Sequence, residues 1–340
     1  MFFYRLLVSG LGMYTIMTII LTGHFAVAAT PPKYKSGQLK GSLHTEYYTT
    51  DSNFDKSGDG FEKLPSDNSF SLIDVRPELV YGLSNDWGVS AGFKYTYGRS
   101  EDSSAQRNNS SITDIDASVY YKLYKKKFYL LPQIHISYPL ITFDLNQDNT
   151  IINEGAMKIE AGTWLEKKFF AHRFYMYVAY AYQADGRAHL LPWEVGAYNS
   201  LGRFLYGFAA LGNEVIVDDE FISSPESRSN RTDTLNGGSK KFYSVNPTEV
   251  SLKAWAGARV AKNFVVYLKY KKTINGTNTA NGQSIMAEVK WRILDPYSRK
   301  SIEEKSGFKI DGINQELDSY VLQNSLTETI VSDYTRMLSA

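Results

Sequence analysis

The sequence predicts an all-β protein, an antiparallel transmembrane β-barrel of about twelve strands. Three observations indicate this fold class. Segments with strictly alternating apolar and polar residues recur along the chain, the connections between them are alternately long and short, and the N-terminal stretch is typical of an exported protein. Segment 87–98 is the clearest, with aromatic and apolar residues on one face and small, polar or charged residues on the other.

The composition excludes several classes of protein. The chain has 340 residues with 25 Tyr and 18 Phe, yet its mean hydropathy is negative, which argues against a bundle of membrane helices. It has no cysteine, so disulfides, thiolate metal sites and cysteine nucleophiles are excluded. A formal charge of +1 argues against a general nucleic-acid binder. No motif for a cofactor is found.

Residues 1–29 are predicted to be a signal peptide. Arg5 is the only charged residue, the stretch 6–21 is mostly apolar, and Ala26-Val27-Ala28 has the small-residue pattern of a cleavage site. The alternative is an uncleaved membrane anchor. No later stretch approaches the ~20 apolar residues that a spanning helix needs. The chain is therefore expected to be exported without being held by ordinary membrane helices.

The alternating segments share one arrangement, in which one face is apolar and the other carries polar and charged residues. Each is close to the length that a tilted strand needs to cross a bilayer, about 9–11 residues. In the region 173–213 both faces are rich in aromatic residues, so the orientation of the strands there is left open. The segments are 39–49, 70–82, 87–98, 113–124, 128–138, 157–167, 173–183, 190–200, 203–213, 250–260, 264–271 and 285–294.

The connections are predicted to differ between the two ends of the barrel. Transmembrane barrels have short periplasmic turns and longer external loops. The turn 184–188 is the exception, because it is short where a long loop is due. The long polar connections are 51–68, 99–111, 141–153, 217–245 and 274–282, and the short ones are 83–86, 125–127, 169–172, 201–202 and 261–263.

A soluble β-sandwich is the competing fold, because it also alternates between an apolar core face and a polar face. The export signal, the aromatic residues near strand ends and the asymmetry of the loops favour the barrel. A barrel in lipid must close, since backbone groups there have no water to bind. The predicted location is the outer membrane of a Gram-negative bacterium, in contact with lipid and lipopolysaccharide.

The pattern over about 39–294 resembles Gram-negative outer-membrane β-barrels in general. Two stretches, P-E-L-V-Y-G-L-S-N-D-W at 77–87 and T-D-I-D-A-S-V-Y-Y at 113–121, are similar to segments of the barrel family associated with meta-cleavage phenol degradation and uptake of aromatic compounds. This resemblance implies an uptake channel and transfers no defined site. The chain differs from the usual barrel in that it continues well beyond its last predicted strand.

Charged residues on the polar faces are predicted to line the lumen. The inward faces of the last three strands are mainly basic, and those of the second, fourth and sixth strands are mixed but contain several acidic residues. Opposed walls could therefore set a transverse field for charged solutes. The alternative is that opposite charges pair and fill a narrow barrel. The predicted lumen-lining residues are Asp74, Arg76, Glu78, Lys94, Asp114, Asp116, Glu160, Lys253, Arg259, Lys269, Lys271, Glu288, Lys290 and Arg292.

An enzymatic barrel is a further alternative. His135 and Ser137 lie on one strand face and resemble the His-x-Ser of outer-membrane phospholipases, although Tyr138-Pro139 follows where that family has Asn-Gly and both side chains should point inward. A lumenal histidine is the simpler interpretation, so no catalytic residue is assigned. The other histidines are scattered, and the acidic loop residues 218–220 lack the spacing of a cation site, so no metal site is predicted.

The predicted domain organisation is a signal peptide, 1–29, a barrel, 30–294, and a periplasmic tail, 295–340. Apolar residues recur in the tail at roughly helical spacing after Asp295-Pro296 ends the last strand. A partly helical tail could cover the barrel end or bind a periplasmic partner.

The leading functional hypothesis is a porin-like channel for passive passage of small solutes, with aromatic or anionic ones as candidates. The alternatives are a structural or surface-binding barrel with a closed lumen and an outer-membrane hydrolase. The first two differ in whether the lumen conducts.

Overall fold

The computed structural model describes residues 31–55, 57–58, 60–65, 68–125, 128–142, 148–220 and 235–294. The predicted signal peptide, 1–29, and helical tail, 295–340, lie outside these residues. No helix in the described part of the chain is long and apolar enough to cross a membrane.

The described chain forms one antiparallel sheet that closes on itself, because the last strand pairs with the first from Leu39 opposite Leu294 to Phe54 opposite Thr279. The predicted twelve-strand barrel is thereby confirmed. Two short strands, β2 and β6, are additions beside β1 and β7. The strands are β1 (Leu39–Phe54), β2 (Phe61–Lys63), β3 (Ser69–Gly82), β4 (Trp87–Glu101), β5 (Gln106–Tyr121), β6 (Leu123–Lys125), β7 (Phe128–Pro139), β8 (Lys158–Phe169), β9 (His172–Gln183), β10 (His189–Leu201), β11 (Phe204–Val217), β12 (Thr248–Ala261), β13 (Phe264–Thr277) and β14 (Thr279–Leu294).

The outer face of the barrel is apolar. In β4, Phe93 is 42% exposed while Thr96 on the other face is fully buried. Large exposed apolar side chains recur with this alternation around the wall, for example Ile134 in β7 and Leu268 in β13. So extended an apolar surface requires lipid around it, and a closed sheet is the β-structure that satisfies all its backbone groups there. The chain is a transmembrane β-barrel.

The prediction of long loops at 99–111 and 274–282 is wrong, because most of these residues lie in strands. β4 and β5 continue to Glu101 and from Gln106, so most of 99–111 is strand, and the turn is closed by Asp102, whose carboxylate accepts the backbone N–H of Ser104 at 2.7 Å. β13 and β14 are joined at Asn278 alone, with φ of 51°. Polar residues there belong to strands of 14–16 residues, longer than the about 9–11 that a bilayer requires, which extend beyond the membrane.

The region whose orientation the sequence left open forms three regular strands, β9 to β11. The turn between β9 and β10 is short, as expected, and is made by Asp185 and Gly186 with φ of 61° and 68°. In β9 the residues Tyr175 and Tyr177 point inward and are nearly buried, whereas Phe174 and Met176 are exposed to lipid.

A charge on the outer face tests this orientation. Phe93→Arg should lower the free energy of unfolding in lipid vesicles by about 2–4 kcal/mol, because it places an arginine near the middle of the bilayer. Urea titration measures the change. The matched control is Phe61→Arg in β2, where Phe61 is 60% exposed outside the twelve-strand wall and the change should stay within about 0.5 kcal/mol. Equal losses in both variants would contradict the orientation.

Candidate functional site: the barrel lumen

The fourteen predicted lumen-lining residues lie on the strand faces opposite the exposed apolar residues. Their exposure differs along the barrel. Lys253 is fully buried, whereas the side chains of Arg76 and Lys290 are 38% exposed. Arg259 is exposed at the periplasmic end of β12. Asp114, Glu160, Lys269 and Glu288 are nearly buried.

Ion pairs form along the wall. Lys94 and Asp114, which face each other in register on β4 and β5, are 2.6 Å apart. Lys269 reaches Glu288 on the adjacent strand at 2.9 Å, and Arg76 binds Asp74 on its own strand at 2.8 Å. The longest reach among described strand residues is Lys253 of β12 to Glu194 of β10, at 2.6 Å. Side chains on neighbouring strands are close enough to pair directly.

The expected opposition of a basic and an acidic wall therefore gives way to local neutralisation. The basic strands contain their own acidic partners, Glu288 for Lys269 and Glu249 for Lys271, the latter at 2.8 Å. Glu249 was missed because the predicted segment began one residue later, whereas β12 begins at Thr248. A pair formed within the wall leaves the centre of the lumen without a strong transverse field.

An arc of aromatic side chains, named here the aromatic arc, lines the lumen from β8 to β13. Ring centroids follow one another at 4.5 Å from Tyr177 to Trp164, 6.0 Å from Trp164 to Tyr175, 6.1 Å from Tyr175 to Tyr198 and 5.9 Å from Tyr198 to Trp255. The arc ends at Tyr267, 5.7 Å from Trp255. All but Tyr267 are buried, so the arc fills one side of the lumen.

Glycines make room for the arc. A Cβ on Gly196 would lie 2.6 Å from the Tyr175 ring, and one on Gly207 would lie 2.6 Å from the Trp255 ring. Such separations do not occur without displacement, so only glycine lets the rings lie flat against the neighbouring strand. Sequence reasoning attended to inward charges and missed the arc, although Trp164 and Tyr198 share the alternation of Glu160 and Glu194.

The periplasmic end is occupied by the segment 31–38, which precedes β1. The Tyr34 side chain is 4% exposed and its hydroxyl donates to the carbonyl of Asp86 at 2.9 Å. The Lys33 ammonium lies 2.7 Å from Glu166, which also binds Arg173 at 2.6 Å. Burial raises the pKa of Tyr34 well above its ordinary value, so its hydroxyl stays protonated and can donate. This end of the lumen is closed by a segment that is not part of the wall.

The extracellular end is crossed by residues 235–247, named here the outer strap. Asparagine side chains fix its backbone. Asn53 of β1 donates to the Gly238 carbonyl at 2.7 Å and accepts the Lys240 N–H at 2.8 Å. Asn68 donates to the carbonyl of Gly237 at 3.0 Å. Because backbone groups buried in a lumen need partners, these amides hold the strap in place.

A second inward segment supports the strap. Ile151 and Ile152, predicted to lie in an external loop, are fully buried. The N–H of Ile151 donates to the Asn236 side chain at 2.9 Å, and Ser100 of β4 donates to the carbonyl of Leu235 at 2.6 Å. Residues 151 and 152 do lie in a loop, as the sequence predicted. The loop folds into the lumen because of these contacts with residues distant in sequence.

Between the strap and the strand ends lies a cavity of about 150 Å³. Its lining contains basic and acidic side chains in equal number. The lining residues are Glu154, Gln183, Arg187, Ala188, Leu190, Asn213, Asp219, Lys240, Lys241, Ser244, Pro247, Glu249 and Thr279.

His135 contacts Ser118 and not Ser137, the serine of the hydrolase alternative. Its Nδ1 lies 3.0 Å from the Ser118 hydroxyl, directly opposite on β5, and its Nε2 lies 3.5 Å from Asp116. Residues two apart on a strand, such as His135 and Ser137, point the same way but are separated by about 6.6 Å along the strand. No group of three or more metal-binding side chains occurs in the described ranges.

No family model matches the chain, and no curated protein matches it significantly. An outer membrane channel from Pseudomonas putida F1 matches in structure with a TM-score of 0.58 and 11% sequence identity, over 78% of this chain and all of that one. The NanC porin matches with a TM-score of 0.43 and 9% identity, over 74% of this chain and 98% of that one. The translocator domain of the autotransporter NalP from Neisseria meningitidis matches with a TM-score of 0.41 and 11% identity, over 84% of this chain and 96% of that one. The first likeness shows that the fold is that of an outer-membrane channel barrel.

The buried pair of Lys253 and Glu194 should be tested by a double-mutant cycle. Lys253→Met should lower the free energy of unfolding by about 3–5 kcal/mol, because it leaves a buried carboxylate without its cation. Adding Glu194→Leu should recover part of that loss. Urea unfolding in vesicles measures both.

The exposed pair of Arg99 and Glu101 is the control, with side chains 46% and 42% exposed. Arg99→Ala should change the unfolding free energy by less than about 1 kcal/mol. A double variant at Lys253 and Glu194 that is no more stable than Lys253→Met would contradict the pairing.

Proposed function

We propose that the protein is a porin-like channel for small solutes and that the described conformation is its closed state. The observation that carries this proposal is the nature of the obstruction at both ends. Segment 31–38 and the outer strap obstruct the lumen without belonging to the wall. The wall closes by pairing β14 with β1 and does not depend on either of them. A barrel closed in this way can open while its wall stays intact.

The wall charges support passage more than they support a solid filling. Each strand ion pair in the described residues joins side chains on the same strand or within two strands of each other. Pairs across the lumen would lock the barrel shut, whereas pairs along the wall remain formed when a closing segment leaves. Charged and polar walls are the usual lining of water-filled barrels.

Small aromatic or anionic solutes are the proposed cargo. Tyr267, the partly exposed ring at the end of the aromatic arc, offers a ring face to a planar solute, since aromatic pairs gain about 0.5–1.5 kcal/mol beyond area burial. The Lys240 and Lys241 side chains at the outer cavity favour anions. Contact of the outer face with lipid and lipopolysaccharide, and binding of a periplasmic partner by the tail, are further proposals.

A structural or surface-binding barrel with a permanently closed lumen is the second candidate. The observation that favours it is the burial of the aromatic arc, in which Tyr175 is only 2% exposed. A hydrolase is not proposed, because His135 contacts Ser118 and not Ser137, the serine that this alternative requires.

Planar-bilayer recording of the full chain separates the two candidates. Replacement of Lys33 and Tyr34 by alanine, combined with deletion of strap residues 236–246, frees both ends and should raise the single-channel conductance at least severalfold, because segment 31–38 loses its ion pair to Glu166 and its buried ring. Glu166 keeps Arg173 as a partner, so the wall should remain folded.

Ser36→Ala, combined with the same strap deletion, is the matched control, because Ser36 lies in segment 31–38 and its contact with Asn85 is made by its backbone N–H, at 3.4 Å. Its conductance should equal that of the unmodified chain. If the variant changed at both ends passes no more current than the unmodified chain, the channel is rejected in favour of the closed barrel.

A further inference from the structure

The cavity beneath the outer strap lies where a solute from outside would first meet the lumen. It is lined by the extracellular ends of β9, β10, β11, β12 and β14 together with Lys240, Lys241 and Ser244 of the strap. A cavity of about 150 Å³ is large enough for one benzene-sized ring. The site is therefore small, partly open and charged.

Two of the three carboxylates of the cavity are already fully engaged. Glu154 binds the Arg187 guanidinium and accepts the backbone N–H of Tyr243 at 3.1 Å. Glu249 binds Lys271 at 2.8 Å and accepts the Ser251 hydroxyl at 2.5 Å. The third, Asp219, is 1% exposed. These groups have little capacity left for a cationic ligand.

Unlike Glu154 and Glu249, the Lys241 ammonium has no ion-pair partner of opposite charge among the described residues. It lies 4.5 Å above the centre of the Tyr48 ring, a cation–π contact. Among the described residues no carboxylate lies within 4.0 Å of the Lys241 ammonium. Burial lowers the pKa of Lys241, and the nearby Lys271 lowers it further. An anion placed beside this ammonium would relieve both effects.

Aromatic rings line the surroundings of this cation. Tyr243 stacks on the Arg187 guanidinium with 4.4 Å between the guanidinium carbon and the ring centre. Phe242, between Lys241 and Tyr243, packs its ring edge-on against Phe70 at 6.3 Å. These rings are neighbours of the basic residues Lys241 and Arg187 that line the cavity, and they do not line it themselves.

We propose that this cavity binds a small organic carboxylate of up to one ring in size, with the Lys241 ammonium as its principal partner. The proposal rests on the channel function, for which it supplies the entry site and the solute class. Lys240, whose side chain borders the same cavity, adds a second positive charge. The strap then serves as part of the binding site as well as a closing segment.

Titration calorimetry of the full chain in detergent, with benzoate as the probe at low chloride concentration, tests this site. Benzoate should bind and its neutral analogue benzamide should not. Lys241→Gln should weaken benzoate binding by roughly tenfold to a hundredfold, since a hydrogen bond to a charged group contributes about 1.5–3 kcal/mol. Lys241→Arg, which keeps the cation, should retain binding.

Lys63→Gln is the control, because Lys63 is an exposed lysine of β2 outside the cavity and its loss should leave benzoate affinity unchanged. Heat-modified mobility on gels establishes that each variant is a folded barrel. Absence of benzoate binding by the unmodified chain, equal binding of benzamide, or full affinity in Lys241→Gln would overturn the site. Binding without bilayer current would support the site and reject the channel, whereas current without binding would reject the site alone.

Discussion

The pairing of β14 with β1 is the constraint on which the rest of the structure depends. Each unpaired backbone group in hydrocarbon costs several kcal/mol, so a sheet in a membrane must have no free edge. Closure sends alternate residues to lipid and to a narrow interior. Apolar side chains such as Phe93 then need no protein partner, whereas a buried charge on the inner face needs one within the barrel.

Three kinds of interaction fill the interior and neutralise its charges, and they differ in how easily they could be broken. Ion pairs such as Lys94 with Asp114 neutralise charge within the wall, and the aromatic arc fills the space beside them. The ends are closed by segments held through a limited set of hydrogen bonds and ion pairs, among them the Asn53 side chain on the strap and Lys33 on Glu166. The ion pairs and the aromatic arc stabilise the barrel itself. The segments at the ends can leave the lumen without breaking the wall.

Alternation was enough to predict the barrel, because the period of two is a local property of each strand. It also placed charged residues such as Lys253 and Glu288 on the inner face. It was wrong about the loops 99–111 and 274–282, since polar residues are equally typical of strands that extend beyond a membrane. The strap and the entry of segment 31–38 join residues far apart in sequence, and the contact of His135 with Ser118 depends on the register between β5 and β7. No local pattern encodes either. The aromatic arc was within reach of the same parity argument applied to Trp164 and Tyr198.

Thiol labelling from the aqueous side tests most directly whether non-strand segments close an intact wall. The chain has no cysteine, so a single Ser90→Cys, at a position 7% exposed on the inner face, reports on the lumen alone. With a membrane-impermeant maleimide, this thiol should be protected in the otherwise unmodified chain and labelled rapidly once Lys33 and Tyr34 are replaced by alanine. Ala91→Cys, on the lipid face, should stay unlabelled in both backgrounds. Equal labelling of the Ser90 thiol in the two backgrounds would contradict the account.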